Sequence, residues 1–196
     1  MTARHVFLVR HGRTALNAAG RIRGHLDPPL DEVGKSQALA LSQQLAHVRP
    51  GRIVSSPLHR ATQTALPLCR VSNLALIEDS RLADRDYGPW AGEEIRSLVS
   101  RFGSVDAAPE VEARSSVLIR ARAVLDEQRS FLDDGACVLV AHEVVNRLLL
   151  ASLDPSLGEP DDIPQRTGCW NLLTLDGRDW QVELVDQVAD SSQLME

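Results

Sequence analysis

The sequence lacks the features that would place the protein in a membrane, outside the cell or on a nucleic acid. No apolar run approaches the roughly 20 residues that a membrane-spanning helix needs. Cys69, Cys137 and Cys169 are odd in number and far apart, which argues against a disulfide framework and against a CxxC metal site. The net charge of −6 is opposite in sign to the basic face that binds nucleic acid.

These absences predict a cytoplasmic protein. The first apolar run begins close to the N-terminus, so we expect no signal peptide. There is no internal repeat, and 196 residues with 43% hydrophobic content suffice for one core. We therefore expect a single domain over residues 1–196, with no nucleic-acid partner and no membrane partner. The sequence leaves a homodimer open.

The most informative stretch is VFLVRHGRT, residues 6–14, in which an apolar run ends abruptly in reactive side chains. The β-branched residues before Arg10, and Gly12 after His11, predict a buried strand that leads into a tight loop. A cation and an imidazole at the end of a buried strand need an anion, a metal or a partner charge. We interpret the missing partner as a phosphate group of the substrate.

Two further strands are predicted to lead directly into polar side chains. The strand expected over residues 52–55 is followed by Ser56-Pro57, a typical start of a helix. This start places Arg60 on the first turn of that helix. The most apolar stretch of the chain, residues 137–141, ends at His142.

The alternation of strands and helices predicts the α/β class, as a three-layer α/β/α sandwich with a mostly parallel central sheet. In such sheets, ligands bind at the carboxyl ends of the strands. If the three strands are parallel neighbours, then Arg10, His11, Arg60 and His142 meet at one edge of the sheet.

Two arginines and two histidines at one edge suit a phosphate group. Arginine donates paired hydrogen bonds to phosphate oxygens and keeps its charge. A neutral histidine can attack phosphorus, and a second one can stabilise the charge that develops. The proton for the leaving oxygen requires a carboxyl group, for which the candidates near strand ends are Asp84, Asp86 and Glu143.

The remaining elements follow from local signals. A long loop is expected over residues 12–29, and the last ten residues look disordered. A helix is predicted from its N-cap at Asp31 to about Val48, ended by Pro50-Gly51. The other predicted elements are helices over 93–101, 111–132 and 144–153, and strands over 73–78, 170–175 and 180–185.

Four segments together resemble the histidine phosphatase superfamily, which includes cofactor-dependent phosphoglycerate mutases and broad phosphatases. The opening VRHGRTALNAAGRIRGHLDPPLDEVGKSQA resembles the family's first signature, and SSPLHRATQTA its second motif. LADRDYGPWAG resembles the loop that bears the acid, and VLVAHEVVNRLLLA the segment with the second histidine. The matches run in the expected order from about Val6 to Asn171, so the resemblance covers most of the chain.

The resemblance implies a phosphoglycerate mutase-like fold and phosphoryl transfer to His11. It implies that His142 acts in catalysis as well as binding phosphate, and that Asp84 protonates the leaving alcohol. It implies no metal and no organic cofactor. The implied phosphate ligands are Arg10, Asn17, Arg60 and His142. Further contacts with the substrate are expected from Arg23, Gly24, Tyr87 and Glu143, with Trp90 and Trp170 as additional candidates for the pocket mouth.

Two positions depart from the family pattern. Asp84 stands where the family usually has glutamate, so Asp86 is kept as a reserve candidate for the acid. Ala141-His142-Glu143 stands where the family typically has Ser-His-Gly. A carboxylate beside a phosphate is repulsive unless it meets a cation or points away. We therefore expect Glu143 to contact the leaving-group side of the substrate.

The resemblance favours a phosphomonoesterase that acts on a small phosphorylated metabolite. Mutases of this family usually carry a longer basic insertion before the second histidine, whereas the segment from Glu93 to Gln128 is short and mixed in charge. We expect residues of about 84–130 to cover part of the active site. The alternatives are a cofactor-dependent phosphoglycerate mutase and a catalytically impaired phosphate-binding protein of the same fold.

Overall fold

The computed structural model describes residues 4–189, and within them six strands form one sheet in the order β3-β2-β4-β1-β5-β6. The strands are β1 (His5–Arg10), β2 (Pro50–Ser55), β3 (Leu76–Glu78), β4 (Ala136–Ala141), β5 (Cys169–Asp176) and β6 (Asp179–Val188). The four strands β3, β2, β4 and β1 run parallel, while β5 and β6 are antiparallel. The predicted mostly parallel sheet is confirmed.

Helices cover both faces of this sheet, so the predicted three-layer sandwich is confirmed. They are α1 (Ala15–Ala18), α2 (Glu32–Ala46), α3 (His59–Ser72), α4 (Ile95–Phe102), α5 (Arg114–Glu127) and α6 (Glu143–Leu153). Side chains alternate along β1: Val6 and Leu8 pack against α5 and α6, while Phe7 and Val9 pack against α2 and α3. None of the helices between residues 4 and 189 is both long and apolar enough to cross a bilayer.

The register of the central strands brings three loops to one edge of the sheet. Arg10 pairs with Ala141, and Ser55 pairs with Val140. Backbone hydrogen bonds continue beyond the strand ends, from the His11 amide to Ala141 at 3.1 Å and from the Ser56 amide to Val140 at 2.9 Å. The residues that follow β1, β2 and β4 are therefore fixed next to one another.

Two predicted boundaries around β2 are wrong. Ser56 does not cap a helix, because α3 begins at His59 after Leu58 and the Ser56 hydroxyl is bound to His142. Pro50 and Gly51 do not end α2 but begin β2. Gly51 is needed there because a Cβ atom would lie 2.7 Å from the Asp134 carbonyl oxygen.

Other elements differ in length from the predictions. The predicted strand over 73–78 is reduced to β3, because α3 continues to Ser72 and ends at Asn73 in the left-handed conformation. The predicted helix over 111–132 is α5 followed by a 3₁₀ turn. The predicted loop over 12–29 contains α1. Of the ten terminal residues expected to be disordered, 187 and 188 belong to β6, and 190–196 lie outside the described residues.

Candidate active site

His11 lies at the carboxyl end of β1 with no exposed surface. Its Nδ1 atom is 2.7 Å from the carbonyl oxygen of Gly12. Because a carbonyl oxygen can only accept, Nδ1 carries the proton and Nε2 keeps its lone pair. Burial, followed by the charges of His142, Arg60, Arg10 and Arg23, lowers the pKa of His11 well below its usual value. His11 is therefore neutral, and the lone pair of its Nε2 is available.

His142 follows β4 and faces His11, with 5.1 Å between the ring centroids. It is also fully buried, and burial lowers its pKa well below the usual value, helped by the charge of Arg60. Its Nε2 lies 2.8 Å from the hydroxyl oxygen of Ser56, which accepts from the amide of Leu58 at 3.3 Å. Nδ1 of His142 lies 3.8 Å from the carboxylate of Asp84, which favours the tautomer with the proton on Nδ1. In that tautomer Nε2 accepts from the Ser56 hydroxyl, and the Nδ1–H is a donor toward the site.

Arg10 is held from behind by a buried network of amides. Its Nη1 donates to the carbonyl oxygen of Gln165, whose side chain contacts Asn146 at 3.0 Å and Asn171 at 2.6 Å. Asn171 in turn donates to the Leu8 carbonyl oxygen at 2.8 Å. This network fixes the guanidinium of Arg10 from the interior and from the antiparallel side of the sheet.

Arg60 is fully buried on the first turn of α3. It donates to the carbonyl oxygens of Leu26 and Gly24, each at 2.8 Å, and to the carboxylate of Asp84 at 2.9 Å. Gly24 has a φ of +50°, and a Cβ atom there would lie 3.0 Å from the ring of Tyr87. Glycine at this position thus allows the backbone to approach both Arg60 and Tyr87.

Asp84 is almost fully buried between the cation of Arg60 and the ring of His142. One carboxylate oxygen lies 3.8 Å from Nδ1 of His142, and the other accepts from the amide of Arg85 at 2.9 Å. The shorter aspartate therefore reaches the site. Asp86 does not lie there, since its carboxylate is half exposed, faces His25 at 3.8 Å and lines a separate cavity.

Buried nitrogen atoms without a hydrogen-bond partner are concentrated at this edge of the sheet. Within residues 4–189, the side-chain atoms in this state include the following: Nε of Arg10, Nε2 of His11, Nε of Arg23, Nε of Arg60 and Nδ1 of His142. Buried polar groups are normally paired, because each unpaired group costs about 1–3 kcal/mol. Except for the lone pair on His11, these atoms are donors, and a tetrahedral anion has the oxygens to satisfy them.

Glu143 meets cations from three separate segments. Its Oε2 lies 2.7 Å from Arg10 and 3.4 Å from Arg23, and its Oε1 lies 2.8 Å from Arg147, one turn along α6. The repulsion expected between this carboxylate and a phosphate is offset by these arginines. Glu143 and Arg23 also line a neighbouring cavity of about 330 Å³.

Tyr87 lines this cavity, whereas Trp90 and Trp170 do not. Burial raises the pKa of Tyr87, so its phenol stays neutral. Trp90 packs against Phe102, and Trp170 packs against Phe7. Both tryptophans therefore pack against other aromatic side chains and do not line the cavity.

Asn17 lies in α1, beside the loop that follows β1. Its side-chain oxygen accepts from the amide of Thr14 at 3.1 Å, and the Thr14 hydroxyl accepts from the amide of Asn17. This capping box fixes the side-chain oxygen and leaves the NH₂ group of Asn17 for another partner.

Four residues that support the site were not predicted to belong to it. Ser56 and Gln165 contact His142 and Arg10 as described above. Arg120 of α5 donates to the carbonyl oxygens of residues 81, 83 and 84 and so holds the loop of Asp84. Thr64 accepts from the amide of Gly12 at 2.9 Å. Only Arg120 could have been found from the sequence, because it is a charged residue on the otherwise apolar side of the helix predicted over residues 111–132.

A family model for the histidine phosphatase superfamily (branch 1) matches residues 6–187. The chain belongs to the histidine phosphatase superfamily. The resemblance carried by the RHG motif and the three later segments is thus confirmed over nearly the whole length.

Relatives of this superfamily member include phosphatases and a probable mutase. Phosphoserine phosphatase 1 of Hydrogenobacter thermophilus is 33% identical over 158 residues, covering 76% of this chain and 75% of the relative. Glucosyl-3-phosphoglycerate phosphatase of Mycobacterium tuberculosis is 40% identical over 92 residues, or 47% of this chain and 41% of the relative. A probable phosphoglycerate mutase of Yersinia pestis is 32% identical over 171 residues, covering 82% and 78%.

Solved structures show the same fold. The mycobacterial glucosyl-3-phosphoglycerate phosphatase complexed with VO₃ has a TM-score of 0.83 and 28% identity, covering 94% of this chain and 99% of that one. A phosphoglycerate mutase from Bacillus anthracis has a TM-score of 0.85, covers 97% and 94%, and is 23% identical. The predicted phosphoglycerate mutase-like fold is confirmed.

Proposed function

We propose that this member of the superfamily is a phosphomonoesterase that hydrolyses a small phosphorylated metabolite through a phosphohistidine on His11. The observation that carries the proposal is the neutral, fully buried His11, whose Nε2 has no hydrogen-bond partner. The cations of Arg10 and Arg60 and the ring of His142 surround that atom. The similarity to two curated phosphatases supports the same activity.

The reaction follows from the positions of these groups. Nε2 of His11 attacks phosphorus, and the bond between phosphorus and the ester oxygen breaks. Asp84, after taking up a proton from solvent, gives that proton to the leaving oxygen. The arginines, His142 and the NH₂ group of Asn17 hold the phosphoryl oxygens. Water then attacks the phosphohistidine, Asp84 takes a proton from that water, and the bond to Nε2 breaks to release phosphate.

The same site supports an acid-type phosphatase that acts in mildly acidic solution. The lowered pKa of His11 keeps the nucleophile neutral there. We further propose that residues 1–196 form a single domain, that the segment of about 84–130 caps the site, and that the protein works in the cytoplasm. Within that segment, Tyr87 and Asp106 line the cavity beside Glu143.

The direct test is hydrolysis of 4-nitrophenyl phosphate at mildly acidic pH, together with inhibition by vanadate. A ³²P-labelled substrate quenched in denaturant should leave acid-labile label on the wild-type protein. The variant His11→Ala should lose both turnover and label, whereas the exposed control His47→Ala should keep both. Turnover or label in His11→Ala would contradict the assignment of the nucleophile.

The mutase alternative is kept because a probable phosphoglycerate mutase is among the relatives. Its test is a coupled assay for isomerisation of 3-phosphoglycerate with and without 2,3-bisphosphoglycerate. Isomerisation that requires the bisphosphate, with little hydrolysis, would replace the phosphatase assignment. Phosphate binding without any turnover would instead favour the impaired binding protein.

A further inference from the structure

The cavity of about 330 Å³ beside the phosphate site has an apolar part and a charged part in its wall. The side chains of the apolar part are Ile22, Tyr87, Ile95, Val99, Val105 and Val144. Its volume is at the lower end of the range of small-molecule sites. Because Glu143 lines this cavity and contacts both Arg10 and Arg23, the cavity adjoins the buried cations at the edge of the sheet.

The charges on the outer part of the cavity are paired with one another. Asp106 contacts both Arg85 and Arg114, the latter at 2.8 Å. Arg114 also contacts Asp161 at 2.7 Å. Each of these guanidinium groups thus already has a carboxylate partner, and each carboxylate has a guanidinium.

The charges on the inner part are also paired. Arg147 contacts Glu143 at 2.8 Å and donates from its Nε to the carbonyl oxygen of Ile163 at 2.8 Å. Arg23 is the least committed, since its contact with Glu143 is 3.4 Å long. Arg23 is also among the charges that lower the pKa values of both His11 and His142.

We infer that this cavity binds the leaving group of the substrate and selects an uncharged alcohol that has an apolar portion. The inference rests on the proposed phosphomonoesterase activity and specifies its substrate class. A carboxylate on the leaving group would compete with Glu143, Asp106 or Asp161 for an arginine. An ammonium group would compete with an arginine for one of the same carboxylates. An uncharged alcohol fills the apolar wall and leaves the pairs intact.

The test compares aryl phosphates of similar size that differ in the charge of the para substituent. The three are 4-(hydroxymethyl)phenyl, 4-carboxyphenyl and 4-(aminomethyl)phenyl phosphate, each assayed for kcat/KM with the wild-type protein. We expect the neutral substrate to exceed both charged ones by about tenfold or more, the ratio that one charge-assisted hydrogen bond provides. A charged substrate that matches or exceeds the neutral one would overturn the inference.

The variant Glu143→Gln tests the role of the paired charges. It removes the carboxylate from Arg10, Arg147 and Arg23. The loss at Arg10 affects both substrates alike, so the ratio of kcat/KM for the carboxyphenyl substrate over the neutral one should rise about tenfold. The control Glu32→Gln removes an exposed carboxylate from α2, where Glu32 pairs with Lys35, and should keep the wild-type ratio. An unchanged ratio in Glu143→Gln would contradict the role of Glu143.

The two levels of the proposal fail in different ways. If none of the three esters is hydrolysed, the phosphomonoesterase assignment fails. If they are hydrolysed without preference for the neutral one, that assignment stands and the substrate class is wrong. Because the wild-type comparison needs no substitution, it decides the question even if Glu143→Gln is unstable.

Discussion

Lowering the pH from about 7.5 to about 5.5 should destabilise the protein by about 3 kcal/mol, with His11 and His142 as the source. Both side chains are fully buried, and their pKa values are well below the usual one when the protein is folded. They stay neutral in the folded protein at both pH values. In the unfolded chain they have an ordinary pKa of about 6.5 and bind protons as the pH falls.

The sign and the size of the change in unfolding free energy follow from this difference in proton binding. Because the unfolded chain binds more protons, the stability contributed by the two neutral histidines is fully present above about pH 6.5. This contribution is lost as the pH falls below that value. At about pH 5.5, one unit below the ordinary histidine pKa, proton binding to the unfolded chain lowers the free energy of unfolding by about 1.4 kcal/mol per histidine. The pair together gives about 3 kcal/mol. Carboxylates with lowered pKa values contribute mainly at lower pH, since their protons bind below about pH 4.5.

The assay is urea unfolding at the two pH values in a phosphate-free buffer. For each variant, the free energy of unfolding at the lower pH is subtracted from that at the higher pH. Any loss of stability that the substitution causes equally at both pH values therefore cancels. His11→Gln and His142→Gln should each remove about half of the change, or about 1.4 kcal/mol. His47→Gln, at the exposed end of α2, should keep all of it. Equal stability of the wild type at both pH values would refute the buried neutral state of the two rings.

Two further predictions concern the supports of the site. Ser56→Ala should lower kcat/KM about tenfold or more, because it leaves His142 Nε2 unpaired and frees its tautomer. The control Ser55→Ala also removes a buried hydroxyl that donates a hydrogen bond, but it should keep kcat/KM. The ¹⁵N spectrum of the His142 ring should show a change of tautomer in Ser56→Ala and none in Ser55→Ala. Equal losses of kcat/KM in the two variants would contradict the role of Ser56. Gly12→Ala should lower the unfolding free energy by about 2 kcal/mol or more, because the new Cβ would lie 2.6 Å from the Gly34 carbonyl oxygen. An unchanged urea midpoint would show that the loop after β1 and the first turn of α2 separate freely.

The strand ends were predictable because their signal is local. Apolar runs that stop at Arg10 and at His142, together with the rule for parallel sheets, were enough to place these side chains near Arg60. The N-cap of α2 at Asp31 was predictable for the same reason, since its side chain accepts from Gly34, three residues away. Such features depend on neighbours in the chain.

The partners of Ser56 and Glu143 could not be predicted, because they come from distant segments. Ser56 has the local sequence of a helix cap, but its hydroxyl binds His142, 86 residues away. Glu143 looked repulsive beside a phosphate, yet Arg23 contacts it from 120 residues away. Only the folded arrangement shows which of several locally reasonable partners a polar side chain takes.

Much of the cavity wall comes from a stretch of chain that lies apart from the two histidines and Arg60, which has a practical consequence for engineering. His11, Arg60 and His142 follow β1, β2 and β4, whereas six of the cavity-lining residues lie between Ile95 and Asp106. This short stretch contains α4 and the turn after it, and it supplies no strand to the sheet. A library restricted to these twelve positions, or a graft of the equivalent stretch from another superfamily member, would vary the alcohol that is accepted while leaving the phosphoryl-transfer groups untouched.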